Sequence, residues 1–386
     1  MRRLPPVYSP LSFAAVRAAW GGADVRAPLT TALQARFPGR GVVLTDSGTS
    51  ALAVALRIAS RSRQGRLCAL PAYGCYDLIS AALAAGVRVE LYDVDPRTLQ
   101  PDLPSLTRAV SRGIAAVVVV HHCGVPAALA PVREVIRDQD ALLIEDAAQG
   151  AGGVADGVAL GGAGDLGVLS FGRGKGITGG GGGALLVHDH ALIETAAREV
   201  GPSTESGGAA FGLKLAAQWA LARPSLYAIP ASLPFLGLGE TVFRPPTAPL
   251  GLRRATARVL LHTLPEADAE ADLRRAHVAR LRAAVRADVA DRFIPVSTAD
   301  RAGWLRFPVR GARTPALMRS GAMLGCVPGY PQPLTTLPQA QSILDSVHPV
   351  PGATELATHL WTVPVHGLLT PSDLDAIARW LNDLPR

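Results

Sequence analysis

The chain has 386 residues, 48% hydrophobic and 18% charged, with a formal net charge of +7. That length allows two or three domains of ~100–200 residues, and so apolar a composition excludes a disordered or coiled-coil chain. The excess charge sits on scattered arginines, often beside Asp or Glu, with no aromatic-basic stripe, which argues against nucleic acid as a partner. Lys175 and Lys214 are the only lysines among 38 Lys and Arg residues. Arginine cannot become a neutral amine nucleophile, so a lysine kept against this bias calls for a reason. Cys68, Cys75, Cys123 and Cys326 show no metal-ligand spacing and are too few for a disulfide framework, which argues against zinc and fits a reducing compartment. Pro5, Pro6, Pro10 and Arg17 interrupt any signal core, and no run approaches the ~20 apolar residues of a membrane span. A cytoplasmic protein without membrane contact is expected.

From residue 40 the pattern is strand, turn, helix, repeated. GVVLT (41–45) reads as a buried strand, DSGTS as the turn, and residues 51–60 have helical apolar spacing. A short strand RLCAL leads to PAYGCY and a helix over DLISAALAAG. VRVELYDVD reads as a strand, residues 103–110 as a helix, and IAAVVVV as a fully apolar strand ending at His121. ALLIEDAAQG follows, a strand with polar residues at its carboxyl end. After the Gly-rich hairpin TGGGGGALLV the alternation stops, and residues 193–240 read as helical, Pro-interrupted segments. A long helical stretch covers residues 253–290 with a break at Pro265, and its charged run reads as a solvated helix face. WLRFPVR, a helix near 316–324 and a final helix over SDLDAIARWLNDL complete a smaller α/β unit. Alternating strands and helices predict an α/β fold with a mostly parallel sheet covered on both faces, whose ligands bind beyond the carboxyl ends of the strands. The expected division is a large domain over residues 1–248, then a linking helix and small C-terminal domain over 249–386.

The polar motifs fall at those strand ends. SGTSAL (47–52) places a Gly-Thr turn at a helix start, where free N–H groups bind phosphate, although an ordinary Ser/Thr cap gives the same pattern. Asp146 ends an apolar strand in IEDAAQ, where an ionised carboxylate calls for a cation such as a pyridinium nitrogen, or else caps the next helix. Lys175 lies between glycines in SFGRGKGITGGGGGALLV, which let the backbone approach a bulky ligand. For Lys214 a surface position is explanation enough. A phosphate cradle, an acid for a ring nitrogen and an amine nucleophile, in that order on a parallel sheet, are what a pyridoxal-phosphate enzyme requires.

SGTSAL, YDVDPRTLQPDL, IEDAAQ, SFGRGK with its hairpin, YPQPL and TVPVHGLLTPSDL resemble the DegT/DnrJ/StrS family of nucleotide-sugar aminotransferases. The resemblance implies a fold-type I transferase: a large domain with a mostly parallel seven-stranded sheet and a smaller C-terminal domain, active as a homodimer. It implies pyridoxal 5'-phosphate as cofactor, and small-molecule partners: an amino donor, usually glutamate, and a nucleotide-linked keto sugar. Lys175 would be the lysine that forms a Schiff base with the cofactor, and Asp146 the partner of its ring nitrogen. Gly48, Thr49 and Ser170 would hold the phosphate, and Gln149 would touch the ring hydroxyl.

The sequence also departs from the family. Cys75 stands near the place of the aromatic residue that stacks on the ring, leaving Tyr73 or Tyr76 to substitute. The only Asn is Asn382, so the phosphate contact that many members take from a partner-subunit Asn passes to another group, Arg244 first and Arg173 second. Gly181 replaces a customary Glu in the hairpin. Relatives that remove a sugar hydroxyl carry His at the lysine position, so Lys175 favours transamination. His121 either lines the site or is a structural hydrogen-bonder, and His366 reads as structural. The rival readings are a pyridoxal-phosphate lyase or desulfurase, for which Cys326 is the open candidate nucleophile, and a non-catalytic cofactor-binding regulator.

Overall fold

The computed structural model describes residues 2–63, 66–205, 208–233 and 241–385. Twelve strands occur among them: β1 Gly41–Thr45, β2 Leu67–Pro71, β3 Arg88–Tyr92, β4 Ala116–Val120, β5 Leu142–Asp146, β6 Val154–Ala155, β7 Val158–Ala159, β8 Leu166–Ser170, β9 Gly183–Val187, β10 Phe307–Arg310, β11 Val327–Pro328 and β12 Leu360–Val363. Seven form one sheet in the order β1-β9-β8-β5-β4-β2-β3. β3, β2, β4, β5 and β8 run parallel to one another, while β9 is antiparallel to both β8 and β1. The expected mostly parallel seven-stranded sheet is therefore present.

The central strands are buried on both faces, which explains their unbroken apolar runs such as AVVVV in β4. One face carries the helices Gly48–Ser62 and Asp77–Ala85, which pack on each other. Helix Leu103–Val110 packs on β3 and on helix Leu129–Val135, an element absent from the sequence expectations. Strand β3 is shorter than the expected VRVELYDVD. Asp93 at its end turns away from pairing, and its carboxylate accepts from the backbone N–H groups of Gly352 and Ala353 at 2.8 Å.

The region after β9 contains helices Ile193–Arg198, Gly208–Leu221 and Ala228–Ala231; the remainder of the expected helical segment, residues 234–240, lies outside the described residues. The long helical stretch resolves into Arg254–Thr263, a 3₁₀ turn Leu264–Glu266 at the Pro265 break, Ala267–Ala284 and Ala287–Ala290. Its charged run is not wholly solvated. Arg274 is 1% exposed, bonded through Nε to Glu270 at 3.2 Å and through Nη2 to Tyr8 O at 3.4 Å. The i,i+4 spacing that looked like a surface pair holds a charge inside the molecule because its partner is beside it.

The second sheet, β10-β12-β11, is antiparallel and flanked by helices Pro315–Met323, Pro351–His359 and Pro371–Asn382. Thr370 and Asp373 form a capping box at the start of the last helix. Trp361 is fully buried, its Nε1 donating to Gly311 O at 3.1 Å and its ring edge-on to Trp380 at 5.0 Å. Among the described residues no helix is long and apolar enough to cross a membrane.

Trp361→Ala removes the largest buried side chain of this sheet together with that hydrogen bond. It is expected to cost about 3–5 kcal/mol of stability, read as a lowered midpoint in urea unfolding.

Candidate active site

Four strand ends and one glycine-rich turn meet at the carboxyl edge of the large sheet. After β1, Ser47 caps helix Gly48–Ser62: its Oγ accepts from Ser50 N at 3.0 Å and bonds Ser50 Oγ at 2.9 Å. The cap expectation thus holds for Ser47. It leaves the N–H groups of Gly48 and Thr49 at the positive end of a 15-residue helix, outside the intrahelical ladder. Ser170, the last residue of β8, lies against this end. A Cβ at position 48 would fall 2.6 Å from Ser170 Cβ and 2.9 Å from its Oγ, so only glycine lets hydroxyl and helix terminus come together. The helix start at Gly48 and Thr49 thus lies against the Ser170 hydroxyl, an arrangement with the donors to hold an anion.

Asp146 ends β5 and is 8% exposed. No helix follows it. Its Oδ1 accepts from Ala148 N at 2.9 Å in a local turn, so the helix-cap alternative falls. Burial raises its pKa, and the Ala148 N–H and the charges of Lys175 and His121 pull only partly against that. A buried carboxylate in that condition is short of positive charge. Lys175 is half-buried in the turn after β8, and its charge acts on both Asp146 and Cys75. Gly174 before it adopts φ +79°, and a Cβ at Gly176 would meet Ala151 Cβ at 2.7 Å, so the glycines on either side of Lys175 are required by backbone and packing.

Gln149 Oε1 accepts from Cys123 N at 3.1 Å, and its Nε2 donates to Tyr330 Oη at 3.1 Å. Tyr73 Oη accepts from Tyr330 N at 2.9 Å, and the two rings pack edge-on at 5.4 Å. Tyr73 therefore serves the joint between the two sheets, and Tyr76 is 6% exposed. Cys75 is half-buried between them, its thiol pushed up to about 12 by burial and therefore protonated. Arg244 reaches Asp77 Oδ2 at 3.5 Å with a largely exposed side chain, whereas Arg173 is exposed beside Lys175. A Cβ at Gly181 would meet nothing, so the missing Glu leaves open space.

The two histidines after β4 have opposite surroundings. His121 is fully buried: its Nε2 bonds Glu145 Oε1 at 2.8 Å and its Nδ1 accepts from Ala127 N at 2.9 Å. Glu145 also accepts from the N–H groups of Gly161, Ala163 and Gly164 at 2.6–2.8 Å. His121 is thus the structural hydrogen-bonder, and both of its nitrogens are committed. His122 is 4% exposed, rests on Tyr73 with ring centroids 5.9 Å apart, and has an Nδ1 without a partner; burial lowers its pKa to about 4, so it is neutral. His366 Nε2 bonds Pro5 O at 2.9 Å, a structural role. Cys326 is buried, and burial raises its thiol pKa, which removes the desulfurase candidate.

With this geometry established, comparison with known proteins is direct. Residues 29–216 match the DegT/DnrJ/EryC1/StrS aminotransferase family. It is 32% identical over 157 residues, 41% of this chain and 40% of the relative, to dTDP-4-dehydro-2,3,6-trideoxy-D-glucose 4-aminotransferase of Saccharopolyspora spinosa. The aligned part spans about 40% of that relative's length. The structure of the sugar aminotransferase CalS13 from Micromonospora echinospora superposes with a TM-score of 0.77 at 22% identity, covering 98% of this chain and 99% of that one. That of E. coli GDP-4-keto-6-deoxy-D-mannose-3-dehydratase with bound hydrated PLP does so at 0.76 and 16% identity, covering 99% and 100%. Both likenesses show that the chain has their fold.

Burial alone would raise the Glu145 carboxyl, but the His121 bond and charge and the backbone N–H groups outweigh it and leave it below its ordinary value. A carboxyl lowered in the folded state stabilises above its unfolded pKa, and this contribution is lost as pH falls through the folded value. Glu145→Ala, which strands His121 and three N–H groups, is expected to cost about 3–5 kcal/mol at neutral pH and to flatten the acid limb of stability against pH. Urea midpoints measured from neutral pH downward check both.

Proposed function

We propose that the protein is a pyridoxal-phosphate-dependent aminotransferase that moves an amino group from glutamate to a nucleotide-linked keto sugar. The observation that carries this reading is Lys175 and the cation-poor Asp146 acting on one another beside the Gly48–Thr49–Ser170 cradle. The names of the relatives support the substrate class: one acts on a dTDP-linked dehydro sugar, and another, 31% identical over 150 residues, is the GDP-perosamine synthase of Caulobacter vibrioides.

The residues fit the cofactor. A phosphate suits the helix end and Ser170, and a protonated ring nitrogen supplies the positive charge that the Asp146 site lacks. Gln149, held by Cys123 N and Tyr330 Oη, would be the group that touches the ring hydroxyl. Bound there, pyridoxal phosphate supplies an electron sink for carbanion character at the donor's Cα. The rest falls to the chain. Asp146 keeps the ring nitrogen protonated through a charge-assisted hydrogen bond. Lys175 Nζ anchors the cofactor covalently at rest. The free Lys175 amine would serve as the general base at the donor's Cα and, in the reverse sense, as the general acid at the aminated sugar carbon. Alternation of donor and acceptor gives ping-pong kinetics.

The active form is proposed to be a homodimer. Phe13, Trp20, Leu213 and Ile229 are 50–70% exposed, an apolar surface that suits a second copy. Sedimentation of an active monomer would contradict it.

Lys175→Ala is expected to lose the yellow, borohydride-reducible cofactor adduct and all turnover. Asp146→Asn should retain cofactor but lose ~100-fold or more in half-reaction rate with glutamate, followed by the absorbance change of the bound cofactor. Near-normal kinetics in either variant would sink the reading.

A further inference from the structure

Residues 2–9 run without regular secondary structure from the C-terminal unit to the turn that bears Lys175. They are held at nearly every step. Arg2 donates from Nη2 and Nε to the Asp373 carboxylate of the last helix, at 2.7 and 3.2 Å. Leu4 N donates to Met323 O at 3.0 Å, and His366 Nε2 to Pro5 O at 2.9 Å. Tyr8 O accepts from the buried Arg274 at 3.4 Å, and the Tyr8 ring packs edge-on to His366 at 5.9 Å. Ser9, 5% exposed, accepts through Oγ from Gly174 N at 3.0 Å. Pro5, Pro6 and Pro10 fix φ along this path and carry no N–H to satisfy, so the segment is stiff as well as anchored.

The far end of this segment meets a turn that does little to hold itself. Lys175 N returns to Gly172 O at 3.3 Å, but the N–H of Gly174, at φ +79°, makes no bond within the turn. Among the described residues, Ser9 Oγ is the one hydrogen-bond partner that residues 172–176 have beyond the turn itself. Val7 closes the same side, since a Cβ at Gly174 would meet its Cγ1 at 3.0 Å. On the other side a Cβ at Gly176 would meet Arg274 Nη1 at 3.1 Å, so the guanidinium that grips Tyr8 O also flanks the turn. The backbone that carries Lys175 is thus clasped between Val7, Ser9 and Arg274. A group that moves protons must stay within hydrogen-bond reach of the reacting atoms, and small displacements of it are costly. We propose that Ser9 is a positioning residue for Lys175, and that residues 2–9 are the strap through which the C-terminal unit keeps the lysine turn in place. The inference rests on the aminotransferase reading for the reason why Lys175 must be held, and adds to it the residues that hold it.

The test is hydrogen exchange on the full chain, with and without pyridoxal phosphate, read by mass spectrometry on peptides covering residues 171–178. The visible circular dichroism of the holoenzyme, taken per bound cofactor, is recorded beside it. Ser9→Ala should speed exchange of the turn ~5-fold or more while β8 and β9 exchange as in the parent. Its dichroism per bound cofactor should change, because the lysine that carries the cofactor is displaced. Arg2→Gln, at an exposed position on the far end of the strap, should speed exchange of the same turn by ~2-fold. It carries the test if Ser9→Ala does not fold. Unchanged exchange in Ser9→Ala, a rise spread equally over β8 and β9 with unaltered dichroism, or no effect of Arg2→Gln at the turn would overturn the strap. Exchange needs no cofactor. The expected exchange changes in a protein that forms no borohydride-reducible adduct keep the strap and remove the aminotransferase reading, and a reducible adduct with unchanged exchange does the reverse.

Discussion

The site depends on one backbone contact that leaves no room for a side chain. Where the glycine-rich turn enters β9, a Cβ at Gly183 would lie 2.4 Å from Ser47 O, and Gly182 N donates to Asp46 O at 2.9 Å. Because β9 is antiparallel to both β1 and β8, this contact ties the end of β1 to the end of β8. The helix that starts at Gly48 therefore opens against Ser170, and the turn bearing Lys175 begins one residue later. A methyl group at position 183 would drive β1 from β9 and part the helix terminus from the serine hydroxyl. The glycines after Lys175 thus serve the register of the sheet as much as the approach of a ligand.

Much of this was legible in the sequence, and the reason is local. Alternating apolar runs, a Ser-Gly-Thr turn, a carboxylate at a strand end and a lysine among glycines each report on their own neighbourhood, and the topology of a parallel sheet gathers strand ends at one edge. The mostly parallel sheet follows from such signals, as does the placing of Gly48, Asp146 and Lys175 at its edge, whereas the count of seven strands was implied by the family resemblance. What stayed hidden depends on partners distant in the chain. Tyr330 meets Tyr73 across 257 positions and Gln149 across 181. No periodicity announces either contact. The same holds for Arg274, whose charged neighbourhood looks like a solvated face until Tyr8 O and Glu270 are found enclosing it.

The pair His121 and His122 shows how finely the outcome can divide. Both follow the same apolar strand, yet one continues into the sheet edge and meets the next strand's Glu145, while the next turns toward Tyr73 and Gly74. The chain turns just beyond β4, so His121 braces the loop over residues 161–164 while His122, which opens a 3₁₀ turn, packs against Tyr73. Residue type could nominate either, and only the partner of each ring nitrogen separates them.

The scarcity of lysine bears on the proposed reaction, which brings a ketone to the protein. Carbonyl compounds condense with amines without any catalyst, and guanidiniums, protonated throughout, take little part. With Lys175 half-buried in its turn and Lys214 exposed on helix Gly208–Leu221, the surface presents one ε-amine where a chain of ordinary composition would present many. The net positive charge is thus supplied almost wholly by guanidiniums, which carbonyl compounds leave alone, and the exposed ε-amine is that of Lys214.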